Sequence, residues 1–137
     1  MPTPTPYVFF KDGQCEAAMR FYAGIFGAPE PVLYPAGDMG QPGYTMHAEV
    51  HLGGGMLAGA DDFDGTTPPM EGSSIMVSSP DIAETKGWFD ALSEGGEVRM
   101  GWEENFFSPG FGSLTDRYGI RWMVTTEQDE AGDGSAG

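Results

Sequence analysis

Apolar and polar positions recur along this chain in two matching units. In the first, Cys15, Ala18, Met19, Tyr22, Ile25 and Phe26 fall at helical spacing and mark one apolar face. Gly27 and Pro29 close that helix, as a left-handed glycine with a nearby proline does. In the second unit, Ser79, Pro80 and Asp81 read as the N-cap, first-position proline and first-turn acid of another helix. That helix is expected to bury Ile82, Thr85, Trp88, Phe89 and Leu92 and to stop at Gly95-Gly96. Phe21-Tyr22 stands 67 positions before Trp88-Phe89. The same offset of 67 carries Tyr7-Val8-Phe9-Phe10 onto Ser74-Ile75-Met76-Val77, and Met56-Leu57 onto Met123-Val124. A register kept through strand, helix and late strand points to an internal duplication.

Strands fill the intervals. Residues 44–52 alternate cleanly, with Met46, Ala48, Val50 and Leu52 on one face and His47, Glu49 and His51 on the other. A glycine turn at 53–55 leads to a short strand over 56–60, and further strands are expected over 97–104, 112–116 and 120–126. The expected organisation is one domain over 1–126, with halves at about 6–61 and 73–126 and a proline- and acid-rich linker at 62–72. Residues 127–137 hold no apolar side chain larger than alanine and read as a disordered acidic tail. Two β-rich halves with one helix each give an α+β architecture, the helices covering one sheet face.

Composition narrows the partners. With 21 acidic and 6 basic residues the formal charge is −15, a surface that repels phosphate backbones and anionic lipid. Nucleic acid and membrane are therefore not expected as partners. The first six residues lack a signal-peptide pattern and no apolar run reaches a membrane span, so a cytoplasmic location is expected. The single cysteine, Cys15, excludes an intramolecular disulfide and a cysteine-based zinc cage, and its place on the apolar helix face marks it as packing.

Several segments together resemble the PhnB-like branch of the glyoxalase/bleomycin-resistance/dioxygenase (vicinal-oxygen-chelate) superfamily, often labelled 3-demethylubiquinone methyltransferases. They are Pro6-Tyr7-Val8-Phe9-Phe10, the helix with Glu16, Phe21-Tyr22 and Phe26-Gly27, then Met46-His47-Ala48-Glu49, and finally residues 114–123 (LTDRYGIRWM). The resemblance covers about residues 6–126 and implies paired βαβββ modules forming a cup-shaped mixed sheet around a pocket, commonly as a homodimer. The methyltransferase label is discounted: the one glycine-rich candidate, residues 37–43, precedes a strand rather than a helix.

The resemblance also implies where metal-dependent members carry their ligands, and those positions here hold Tyr7, Met56, Ser74 and Met123. A phenol, a hydroxyl and two thioethers suit no oxygen-seeking divalent cation, so no metal or other cofactor is expected. The alternative is a divalent metal shared by two adjacent members of the His47, Glu49 and His51 row, as at His47 and Glu49, with donors from elsewhere such as Asp61 or Asp116. A two-residue glycine turn would place His47, Glu49 and His51 on the face shared with Met56; a three-residue turn would reverse it. The favoured expectation is a protein binding a small organic molecule through Tyr7, His47, Glu49, His51, Met56, Ser74, Trp122 and Met123. The alternative is a lyase, isomerase or dioxygenase-type enzyme with His47 and Glu49 as candidate catalytic residues. Residues 102–111 (WEENFFSPGF) read either as a lip over the cup or as a core-covering hairpin.

Overall fold

The computed structural model describes residues 2–37, 40–68 and 70–128. Most of the expected tail, from residue 129 onward, lies outside the described residues. The chain divides into two compact units, Met1–Pro69 and Met70–Gly137.

The first unit runs β1 (Tyr7–Phe10), α1 (Cys15–Phe26), β2 (Val32–Pro35), β3 (Thr45–Leu52) and β4 (Gly55–Asp61). Its sheet has the order β1-β4-β3-β2, with β1 parallel to β4 and the other pairs antiparallel. The second unit repeats this plan with β5 (Ile75–Ser79), α2 (Ile82–Ser93), β6 (Glu97–Asn105), β7 (Ser108–Thr115) and β8 (Arg121–Thr126), in the order β5-β8-β7-β6. Each unit is thus a βαβββ module, and the fold is α+β with a mixed four-stranded sheet in each half. β2 was not foreseen: four residues with a proline at the end, only one of them not exposed, carry too little pattern to betray an edge strand.

Each sheet buries one face against its own helix. In unit 1, Val8 and Phe10 from β1, Ala48 and Val50 from β3, and Leu57 from β4 are buried along with Cys15, Ala18, Met19 and Tyr22 of α1. Gly59 lies beneath the helix, where an added Cβ would come 2.7 Å from the Val8 carbonyl oxygen and 2.9 Å from the Met19 methyl. Only a glycine lets α1 come this close to the sheet. In unit 2, Thr85, Phe89 and Leu92 of α2 are buried, as are Leu114, Trp122 and Val124 of the sheet. Ile82 is exposed and Trp88 half-buried, so α2 buries a narrower stripe than its sequence suggests.

The repeat is stricter in the helices than in the sheets. Cys15–Phe26 and Ile82–Ser93 are offset by the same 67 residues at both ends. Carried over at that offset, the Val8↔Gly59 pair would put Ile75 opposite Thr126, but Ile75 pairs with Trp122, a slip of four. An even slip leaves every side chain on its original face, so the equivalence in facing survives.

The two helices start differently. α2 is capped by Asp81, whose carboxylate accepts from the Ala83 and Glu84 amides at 2.9 and 3.2 Å. The cap falls two residues later than Ser79 because Ser79 is still paired with Thr126 in the sheet. Gln14, at the start of α1, makes no side-chain cap. The buried Asp61, at the end of β4, supplies it from afar: Oδ1 accepts from the Cys15 amide at 2.9 Å and Oδ2 from the Thr45 amide at 2.8 Å. Burial holds the Asp61 carboxyl above the usual carboxylate range, against the opposing pull of those two amides. One side chain thereby ties the first turn of α1, the start of β3 and the end of β4. The Cys15 thiol is pushed up to about 12 by burial, with Asp61 and Glu16 adding to it, and is a packing group rather than a nucleophile.

Asp61→Ala leaves two buried amides unpaired and is expected to cost about 2–4 kcal/mol in urea denaturation. Asp61→Asn keeps one acceptor and should cost roughly half as much. Equal stability of the three proteins would remove Asp61 from its capping role.

Candidate functional site

The β3–β4 turn decides which side chains meet. Leu52 pairs with Gly55 and His51 with Met56, so only Gly53 and Gly54 lie in the turn. Gly53 adopts φ 50, a left-handed conformation that other residues reach at a cost. Paired residues share a face, so His47, Glu49 and His51 lie on Met56's side, away from α1. Tyr7 and Phe9 join them, because their neighbours Val8 and Phe10 are the ones buried on the helix side. Tyr34 pairs with His47 across β2 and β3 and completes the row.

Four of these residues, Tyr7, His47, Glu49 and His51, form a continuous hydrogen-bonded chain. Glu49 accepts from both histidines, Oε2 to His47 Nε2 at 3.0 Å and Oε1 to His51 Nε2 at 3.0 Å. The Tyr7 hydroxyl lies 3.0 Å from His47 Nδ1. Hydrogen bonding to His47, then to His51, holds the Glu49 carboxyl below the usual carboxylate range. An ionised Glu49 only accepts, so both Nε2 atoms carry protons. In a neutral His47, Nδ1 is then bare and accepts the Tyr7 O–H. Partial burial holds the Tyr7 phenol above its ordinary value, with a smaller contribution from Cys15, so it keeps that proton at neutral pH. The His47 ring is flanked by Tyr7, stacked at 5.6 Å and 26°, and by Tyr34 at 5.8 Å.

The surface that results is aromatic with a polar seam. Tyr7, Phe9 and Tyr34 are exposed, while the side chains of His47 and Glu49 are 31% and 25% exposed and within reach of a ligand. Tyr34 had no signal of its own in the sequence, because the strand that carries it had none.

The remaining expected site residues belong to unit 2. Met123 and Ser74 are half-buried, and Met123 pairs with Met76 on the face turned away from α2. Trp122 is elsewhere: it is fully buried, and its Nε1–H donates to Asp116 Oδ2 at 2.9 Å. Adjacent strand residues point to opposite faces, so Trp122 and Met123 do not share one. The other Asp116 oxygen accepts from the Tyr118 and Ile120 amides at 2.8 and 3.0 Å, making this acid the organiser of the β7–β8 turn. Asp61 and Asp116, weighed above as metal donors, are both occupied in structural roles. Residues 102–111 span the β6–β7 hairpin, in which Phe111 is buried and Phe106 and Phe107 are exposed.

Tyr7, Met56, Ser74 and Met123 offer a phenol, a hydroxyl and two thioethers, and the Tyr7 oxygen is engaged with His47. In the His47/Glu49/His51 row, each Nε2 is turned onto the carboxylate. Among the described residues no group of three or more His, Cys, Asp or Glu side chains is arranged to hold a metal ion.

A family model described as 3-demethylubiquinone-9 3-methyltransferase matches residues 2–125. The crystal structure of protein PA1353 from Pseudomonas aeruginosa is similar at a TM-score of 0.85 and 32% identity, over 94% of this chain and 100% of that one. A PhnB protein from Bacillus cereus follows at 0.76 and 26%, over 91% and 99%. A glyoxylase/bleomycin resistance protein/dioxygenase domain from Frankia sp. EAN1pec shares the fold at 0.63 and 16% identity, over 93% and 97%.

A depressed carboxylate contributes stability that is present above its unfolded value and lost as pH falls through its folded one. Glu49→Gln is therefore expected to lower Tm at pH 7, with the gap to wild type closing as pH drops below about 4. A gap that stays constant down to pH 3 would contradict the network.

Proposed function

The chain belongs to the family of that model, the PhnB-like branch of the glyoxalase/bleomycin-resistance/dioxygenase proteins, and on that premise we propose that it binds a small organic molecule without a metal. The observation that carries this reading is the Tyr7–His47–Glu49–His51 chain, laid along an exposed aromatic sheet face. Tyr7, Phe9 and Tyr34 offer ring surface to a planar or apolar body, and the Tyr7 hydroxyl and His51 offer hydrogen bonds to its polar group. The donor chemistry, already satisfied within the row, supports binding over metal coordination. The protein is read as a cytoplasmic homodimer with neither nucleic acid nor membrane as partner. The charge of −15 supports the last two points, and among the described residues no helix is long and apolar enough to cross a membrane.

The family description names a methyltransferase, and that activity is not part of this reading. Of the glycine-rich residues 37–43, the described ones (37 and 40–43) precede the strand β3 rather than a helix N-terminus that would receive a cofactor's acidic groups.

A second reading has its own observation. The His47–Glu49 pair, with Tyr7 on the other ring nitrogen, has the connectivity of a general base oriented by a carboxylate. In this reading His47 Nδ1 takes a proton through or beside the Tyr7 hydroxyl, for an isomerase or lyase step on a bound small molecule.

Thermal shift against a panel of planar phenols, carboxylic acids and antibiotics separates the two readings. A ligand at 100 times its Kd adds about 2.7 kcal/mol, a readily seen rise in Tm. The binding reading expects such a hit to weaken in both Tyr7→Phe and His47→Ala and to be recovered unchanged after incubation. Conversion of the hit, abolished by His47→Ala, would favour the enzyme. Stabilisation by Mn²⁺, Co²⁺ or Zn²⁺ that is lost in Glu49→Gln would overturn the metal-free claim.

A further inference from the structure

The β6–β7 hairpin turns on two phenylalanines. Asn105 pairs with Ser108, and its Oδ1 accepts from the Phe107 and Ser108 amides at 3.0 and 2.9 Å, leaving Phe106 and Phe107 as the turn itself. Neither takes the positive φ that favours Gly, Asn or Asp in such turns, so the backbone makes no demand that a phenylalanine answers. Phe106 is 93% exposed, so it adds nothing to the core. Phe107 leans edge-on against Phe111 at 5.4 Å, and Phe106 stands edge-on to Phe107 at 5.2 Å. A local choice that serves neither turn nor core is the kind of inconsistency that marks a contact surface.

The pair borders a depression of about 650 Å³ within unit 2, on the sheet face turned away from α2. Met76, 61% exposed, supplies apolar floor; Ser78 and Thr125, paired across β5 and β8, supply hydroxyls. Glu127 closes one side, with Oε2 accepting from the Ser78 hydroxyl at 2.9 Å. The lining contains no Lys, Arg or His. Two exposed rings and one carboxylate share the lining, and the chain as a whole carries −15.

From this arrangement we infer that unit 2 carries a second small-molecule site, one selective for organic cations with an aromatic or apolar body. The body lies on Met76 against the Phe106–Phe107 pair, and the ammonium group faces Glu127. Its residues all belong to unit 2, whereas the Tyr7–His47 row belongs to unit 1. Anions and phosphate esters are disfavoured by the same charge that attracts a cation.

Three isosteric probes test it: phenethylammonium, 2-phenylethanol and phenylacetate, titrated against ¹⁵N-labelled full-length protein at low salt. The ammonium probe should shift the Met76, Ser78 and Thr125 amides and bind more tightly than the alcohol, with phenylacetate weakest. An exposed charge pair is worth up to about 1 kcal/mol, so Glu127→Gln should weaken the ammonium probe about three- to fivefold and leave the alcohol unchanged. Phe106→Ser, at a solvent-exposed position, should weaken both. Salt at 0.5 M should reproduce the effect of Glu127→Gln. Equal affinity for all three probes, or no shift of those amides up to 20 mM probe, would overturn the assignment. So would an ammonium response that disappears in Glu49→Gln and persists in Glu127→Gln, since it would place the probe on the Tyr7–His47 row of unit 1.

Discussion

Everything proposed for the first unit depends on the register of one hairpin. Because Gly53 and Gly54 alone form the β3–β4 turn, odd-numbered residues of β3 share a face with Met56 and even-numbered ones lie under α1. Displace that register by one residue and His47, Glu49 and His51 would face the helix. Two imidazoles and a carboxylate would then be buried where Ala48 and Val50 now pack, and the penalty for burying such groups is large. The hydrophobic pattern and the turn glycine therefore enforce the same arrangement, and the polar row emerges beside Tyr7 as its consequence.

The two halves show which features of a duplication are held tightly and which drift. The helices keep their 67-residue spacing to the residue, while the sheet pairing slips by four and the late turn lengthens from two residues to the five of 116–120. The slip of four in the parallel pair preserves facing, whereas β7 lies one residue off the 67-residue offset, Leu114 taking the place of Ala48. The helix starts have diverged further: unit 1 uses the distant Asp61 and unit 2 the local Asp81. In unit 2 the last residue of β8 is Thr126, as Asp61 is the last of β4, and its hydroxyl bonds Thr85 of α2 at 2.7 Å. Each half thus ties its last strand to its helix through a polar side chain, by different chemistry.

Much of the architecture was legible from periodicity alone. The α1 face, the alternation of β3 and the glycine stops follow from spacings that nothing else explains. What was hidden depends on contacts distant in sequence. No local pattern tells that Asp61 reaches Cys15, or that Tyr7 lies 3.0 Å from His47 across 40 positions. Trp122 illustrates a different limit: its neighbour Met123 is on the face away from α2, and strand alternation alone would have assigned the tryptophan to the core. The hairpin tip was legible as a composition, WEENFFSPGF, but its division into a buried Phe111 and an exposed Phe106 needed the register.

His47 is held between Glu49 and the Tyr7 hydroxyl, with its proton on Nε2. Long-range ¹H–¹⁵N correlation of the imidazole rings, at a pH where His47 is neutral, reads the tautomer directly. The predicted result is a protonated Nε2 and a bare Nδ1 for His47, with the Nδ1 shift changing in Tyr7→Phe. A proton on Nδ1, or fast averaging of both tautomers unaffected by Tyr7→Phe, would contradict it.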